Sequence, residues 1–123
     1  MKFSASTYRL LLKTFAHLPI ASLIDDEILA VHGGIGPELL QETSAATSAQ
    51  PNEDGPKKNI LEKISSIQLP KVTSKEEGLL WNLLWADPEE NLVPDFKFNK
   101  VRNTSYIFSS NALEKFLENA NIK

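Results

Sequence analysis

Ile28-Leu29-Ala30-Val31-His32-Gly33-Gly34, a short apolar run that ends on a histidine and two glycines, decides how this sequence is read. Aliphatic and β-branched residues in a run of this length favour a strand. Two glycines directly after it allow a sharp turn and a close approach of the backbone to an ion or ligand. A histidine held at the carboxyl end of a strand suits a metal ligand. It better suits the plain close of a strand before a glycine turn, because a metal site needs three or four ligands and one imidazole is not a site. Working upstream, Ile20 to Ile24 and Glu27 to Val31 are two apolar runs separated by Asp25-Asp26, the pattern of two strands joined by a tight turn. Further upstream, Tyr8, Leu11, Leu12, Phe15 and Leu18 recur at spacings of three and four. This predicts an amphipathic helix from Ser6 to Leu18, capped by Ser6 or Thr7 and stopped before Pro19. His17, the only other histidine, falls near the end of that helix and reads as a partly exposed ring.

Downstream, the composition between Gln41 and Gly55 changes to Ser, Thr, Ala, Gln, Asn, Pro and acids without apolar periodicity, and a flexible loop is expected at residues 41–58. Helical spacing resumes with Ile60, Leu61, Ile64 and Ile67 before Pro70, and Ser74 with Glu77 has the form of a capping box. Leu79, Leu80, Leu83 and Leu84 with Trp81 and Trp85 form the densest apolar cluster and are expected to be the most buried part of the chain. Glu89 to Arg102 reads as irregular, Thr104 to Phe108 as a strand, and Leu113, Phe116 and Leu117 as the apolar side of a last helix capped by Ser110 or Asn111.

Composition narrows the function classes. With 123 residues, 41% hydrophobic and 24% charged, the chain is one globular domain rather than a fibrous or solvating segment. The 13 basic and 16 acidic residues give a net charge of -3 without long runs, which argues against nucleic acid and against an anionic membrane surface. The absence of cysteine excludes disulfides, thiolate zinc sites and thiol nucleophiles, and fits a reducing compartment, so a soluble cytoplasmic or nuclear chain is expected.

Several segments in order resemble one family. Leu18-Pro19-Ile20-Ala21-Ser22-Leu23-Ile24, then Val31-His32-Gly33-Gly34-Ile35-Gly36-Pro37, then Leu83-Leu84-Trp85-Ala86-Asp87-Pro88, then Asn99 with Arg102 and Ser105-Tyr106-Ile107-Phe108, are similar to the PPP family of metal-dependent serine/threonine protein phosphatases. The resemblance runs from about Ser6 to the C-terminus. It implies an α/β chain, a fragment of the calcineurin-like metallophosphoesterase α/β/β/α sandwich, whose intact members hydrolyse phosphoserine and phosphothreonine. They use two divalent metal ions (Mn, Fe or Zn) that activate a water for in-line attack on phosphorus. Residue by residue, it implies that His32 is a metal ligand, that Arg102 grips phosphate oxygens with its planar fork, that Asp87 supports the arginine, and that Trp85 lines the substrate groove. On the residues alone, Trp85 reads first as core, and Asp87 before Pro88 equally as a turn residue. Phosphoprotein substrates or phosphatase regulatory subunits are the partners it implies.

Departures from the family pattern limit the activity to be expected. The family's GDxHG, GDxVDRG, GNHE and RxH motifs, which carry its other metal ligands, a general acid histidine and a second phosphate-gripping arginine, are absent from this sequence. The expectation is therefore a partial catalytic domain that binds no metal pair stably and does not turn over phosphoesters alone, or else a non-catalytic interaction module. Where the family has glycine after its arginine and after its final Phe, this chain has Asn103 and Ser109, which puts both turns in question.

Overall fold

In the computed structural model the described residues are 4–41, 55–68 and 78–123. Most of the expected flexible loop, residues 42–54, and the Ser74 and Glu77 capping pair lie outside them. Helix α1 spans Ala5–Phe15 and is capped by Ser4, slightly earlier than expected, with the Ser4 hydroxyl accepting from the Thr7 amide. It ends before Leu18 because the chain must leave helical geometry ahead of Pro19. His17 and Leu18 already bond three residues back, to the Thr14 and Phe15 carbonyls. The predicted stripe exists, yet no residue of α1 is buried, and Tyr8, Leu11, Leu12 and Phe15 are each 45–61% exposed.

Strands β1 (Ala21–Ile24) and β2 (Ile28–Val31) pair antiparallel with Ile24 opposite Ile28. Asp25 and Asp26 both take left-handed φ, 51° and 56°, and the Glu27 amide closes the turn on the Ile24 carbonyl. This is the twist a short hairpin needs, supplied by residues that tolerate it. Alternation leaves Leu23, Leu29 and Val31 packed on the core and Ile24 and Ile28 outward.

After a 3₁₀ turn at Pro37–Leu39, α2 covers Gly55–Ser65, so residues 55–58, assigned from sequence to the loop, are helical. Gly-Pro-Lys-Lys carries no apolar period to reveal this, and proline is tolerated in a first turn, where its missing N–H has no partner to lose. Lys63 anchors α2 by donating to the Glu38 and Gln41 carbonyls. Helix α3 (Leu79–Trp85) leads through Ala86 into β3 (Asp87–Glu89), and β4 (Phe96–Phe98) and β5 (Tyr106–Ser109) complete a sheet of order β3-β5-β4. The segment expected to be irregular, Glu89 to Arg102, thus contains β4 and the last residue of β3. Three residues are too few to show a period, and Pro88 is accommodated because β3 is an edge strand.

Helix α4 (Ser110–Ala120) is capped by Ser109, whose hydroxyl accepts from the Ala112 amide. Ser109 has φ -86°, so this turn does not need the glycine that the resemblance suggested. Ala112, Phe116 and Ala120, spaced by four, present one buried face to Leu83, Ala86, Phe108, Ile35, Leu39 and Ile60. The chain ends by tying back to the hairpin: the Lys123 amide donates to the Glu27 carbonyl and its ammonium pairs with the Glu27 carboxylate. Among the described residues, no helix is long and apolar enough to cross a membrane.

Candidate functional site

The carboxyl end of β2, the end of α3, the start of β3 and the β4-β5 connection meet at a groove of about 290 Å³ lined by His32, Gly33, Leu84, Trp85, Ala86, Asp87 and Arg102. The four residues singled out from the sequence, His32, Trp85, Asp87 and Arg102, are therefore together. They come from three separated segments, and each is placed by its own local structure.

His32 follows the last residue of β2 and is exposed. The next residue clasps the strand end onto α3: the Gly33 amide donates to the Leu83 carbonyl at 2.7 Å. A Cβ on Gly33 would stand 2.6 Å from the Leu84 carbonyl carbon and 2.7 Å from the Trp85 nitrogen, so only glycine lets the two backbones touch. A Cβ on Gly34 would collide with the Phe108 ring. Gly33 thus serves the packing of two backbone segments, which is where the sequence rule of close backbone approach finds its object, and Gly34 leaves room for the Phe108 ring.

Asp87 opens β3 and takes Arg102 in a fork: Nε donates to Oδ2 and Nη2 donates to Oδ1 at 2.9 Å. Asn99, 1% exposed, donates from Nδ2 to Asp87 Oδ2 at 2.7 Å and accepts the Arg102 amide on Oδ1 at 3.1 Å. The guanidinium also lies over the Trp85 ring, 5.7 Å from its centroid, and Trp85 stacks on Trp81 at 5.4 Å. Trp81 in turn donates its Nε1–H to Thr104 at 2.6 Å, which ties the stack to the loop carrying Arg102. Within that loop Asn103 takes φ 54° and Ser105 φ 59°. Asparagine accepts this conformation readily, so Asn103 supplies at the arginine turn what glycine supplies in the family pattern.

The Arg102 hydrogen bond holds the Asp87 carboxyl below its ordinary 3.8 against the upward push of burial, with the Asn99 amide and the arginine's charge adding to it. The same pairing raises the Arg102 pKa. A carboxyl with a lowered folded-state pKa contributes stability that is complete above its unfolded value and is lost as pH falls through the folded one. The gap in melting temperature between the native chain and Asp87→Asn is accordingly expected to stay constant down to about pH 3.8 and to close below it. A gap that persisted unchanged in stronger acid would rule out the ion pair as its source.

The groove offers one histidine and one carboxylate, the latter already engaged. Among the described residues no group of three or more His, Asp or Glu side chains could hold a metal ion. Asp25 and Asp26, in the turn ahead of β2, are exposed and do not line the groove. The described residues therefore do not fit the two-metal centre that the resemblance implies, and no reaction step is drawn through one. Sequence reasoning missed a second polar cluster beside the groove. Asn82, 2% exposed, donates to both Glu38 carboxylate oxygens at 2.9 Å and accepts from the Ser105 hydroxyl at 2.7 Å. Nothing in Leu-Trp-Asn-Leu-Leu announces it, because an amide inside an apolar run signals nothing until its partners, 44 and 23 residues away, are brought near.

The fold so positioned is that of part of a serine/threonine phosphatase. No protein-family model matches the chain. Among the solved structures that share the fold is a protein serine/threonine phosphatase from Saccharomyces cerevisiae with similarity to human phosphatase PP5. The two agree with a TM-score of 0.68 at 23% sequence identity, over 98% of this chain and 31% of that one. The chain thus spans about a third of the length of the phosphatase it matches.

Proposed function

We propose that this chain is a phosphate-recognising portion of a serine/threonine phosphatase fold, with Arg102 as the anion clamp, Asp87 as its support and Trp85 as the groove wall. The observation that carries the reading is the Arg102 fork on Asp87, set beside His32 in one groove. Two of the guanidinium's five N–H groups are engaged by Asp87, which leaves three for phosphate oxygens. His32 stands at the same groove and offers one ligand toward a metal. Hydrolysis needs the further ligands that the family's other motifs carry, and phosphoprotein substrates belong to such a complete site.

Two measurements test this. Inorganic phosphate titrated into the chain is expected to bind, and Arg102→Ala to weaken that binding by about tenfold or more, since a hydrogen bond to a charged group contributes on the order of 1.5 to 3 kcal/mol. Turnover of a phosphoserine peptide with manganese is expected to be no higher than in His32→Ala. Robust activity abolished by that substitution would overturn the second expectation and place a complete site on this chain.

An interaction module is the second reading, and the exposed stripe of α1 favours it. Four large apolar side chains on one helical face are the mark of a surface that meets another polypeptide. The partner of matching chemistry is one that supplies the part of the phosphatase fold beyond the third that this chain spans. Replacing Leu11 and Leu12 by Asp is expected to leave the melting temperature nearly unchanged and to improve solubility, because neither side chain is buried. A large loss of stability would show that the stripe packs within the chain itself.

A further inference from the structure

Arg102 sits on a loop with two left-handed residues, and long arginine side chains lose considerable freedom when ordered. Its orientation therefore needs a cause. We infer that Asn99 is the positioning residue of the groove, a single buried amide that orients the Asp87–Arg102 fork from both of its ends.

The geometry is specific. Asn99 Nδ2 donates to the same Asp87 oxygen, Oδ2, that receives Arg102 Nε. That contact fixes the carboxylate plane, and with it the direction of the guanidinium. Asn99 Oδ1 meanwhile accepts the backbone amide of Arg102, three residues on, which sets where the side chain leaves the loop. The Asn99 backbone amide donates to the Ser105 carbonyl at 3.0 Å, closing the loop at its other end. All three bonds come from a residue with 1% of its surface exposed, so water does not compete for them. Aspartate in its place would keep the acceptor for the Arg102 amide but present a second carboxylate to Asp87. Alanine would remove both contacts. The two variants therefore separate the cap of the loop from the orientation of the carboxylate.

This inference goes beyond phosphate recognition and rests on it only for the consequence in binding. The test follows hydrogen exchange of the Arg102 Nε–H by nitrogen-15 NMR in the native chain, Asn99→Ala and Asn99→Asp, alongside titration with inorganic phosphate. The Nε–H is expected to be protected in the native chain and to exchange at least about tenfold faster in both variants, with phosphate affinity falling by about the same factor. Asn99→Asp is expected to keep the native loop amide shifts around Arg102. Native Nε–H protection in either variant would overturn the inference, and so would the failure of both to fold, which would make Asn99 a structural residue. A native chain that binds no phosphate would overturn the recognition reading, while the exchange of Arg102 still decides this one.

Discussion

Phe116→Ala is expected to lower the free energy of unfolding by about 3 to 5 kcal/mol, the usual range for a buried aromatic truncated to alanine. Phe116 is 2% exposed and stands at the centre of the face that α4 presents, between Ala112 and Ala120, which are both fully buried. Two alanines flanking it leave no larger side chain on that face to collapse into the void, so the cavity cost adds to the lost transfer energy. Domains of this kind are stable by only about 5 to 15 kcal/mol, so the substitution consumes a large part of the total. Urea unfolding monitored by tryptophan fluorescence measures it. Trp85→Ala is the informative comparison. Trp85 is 39% exposed and is held mainly by Trp81 and Arg102, so its truncation is expected to cost clearly less. The sequence alone suggests the opposite ranking, since the apolar density between Leu79 and Trp85 exceeds that of any other window. An equal or larger loss from Trp85→Ala would restore that ranking.

Gly33→Ala is expected to be the most damaging single-methyl change, at about 1 to 3 kcal/mol or more, with loss of the groove as well as of stability. The added carbon would meet main-chain atoms of Leu84 and Trp85 at 2.6 and 2.7 Å, and main chain cannot rotate aside as a side chain can. Relief requires the β2 end and α3 to separate. That stretches the Gly33 to Leu83 hydrogen bond and moves His32 away from Trp85, Asp87 and Arg102. Thermal melting together with Trp85 fluorescence quenching by iodide reports both effects. His32→Ala supplies the contrast, because an exposed side chain at the groove rim is expected to change stability by less than about 1 kcal/mol when truncated. If Gly33→Ala melted like His32→Ala, the backbone clasp would not hold the groove.

Both expectations come from positions whose residue type was legible and whose weight was not. A glycine pair after a strand announces close approach, but the object approached, the Leu84–Trp85 backbone, lies about fifty residues further along the chain. The stripe of α1 announces a helix by its spacing, and the helix is there. Its burial does not follow, because periodicity records that one face is apolar and says nothing of what covers it. Elements of three residues, β3 and β4, were illegible for a simpler reason: no period fits in them.

By itself, the sequence determined the hairpin at Asp25-Asp26, the helices at both ends and the mixed α/β class, since each of these rests on local backbone preference or on a short pattern carried within one segment. Only the tertiary structure decided which residues form the core, that Asn99 rather than solvent orients Asp87 and Arg102, and that the described carboxylates do not gather around His32. Those outcomes depend on distances between segments remote in the chain, and packing of one segment against another sets such distances where no local pattern can.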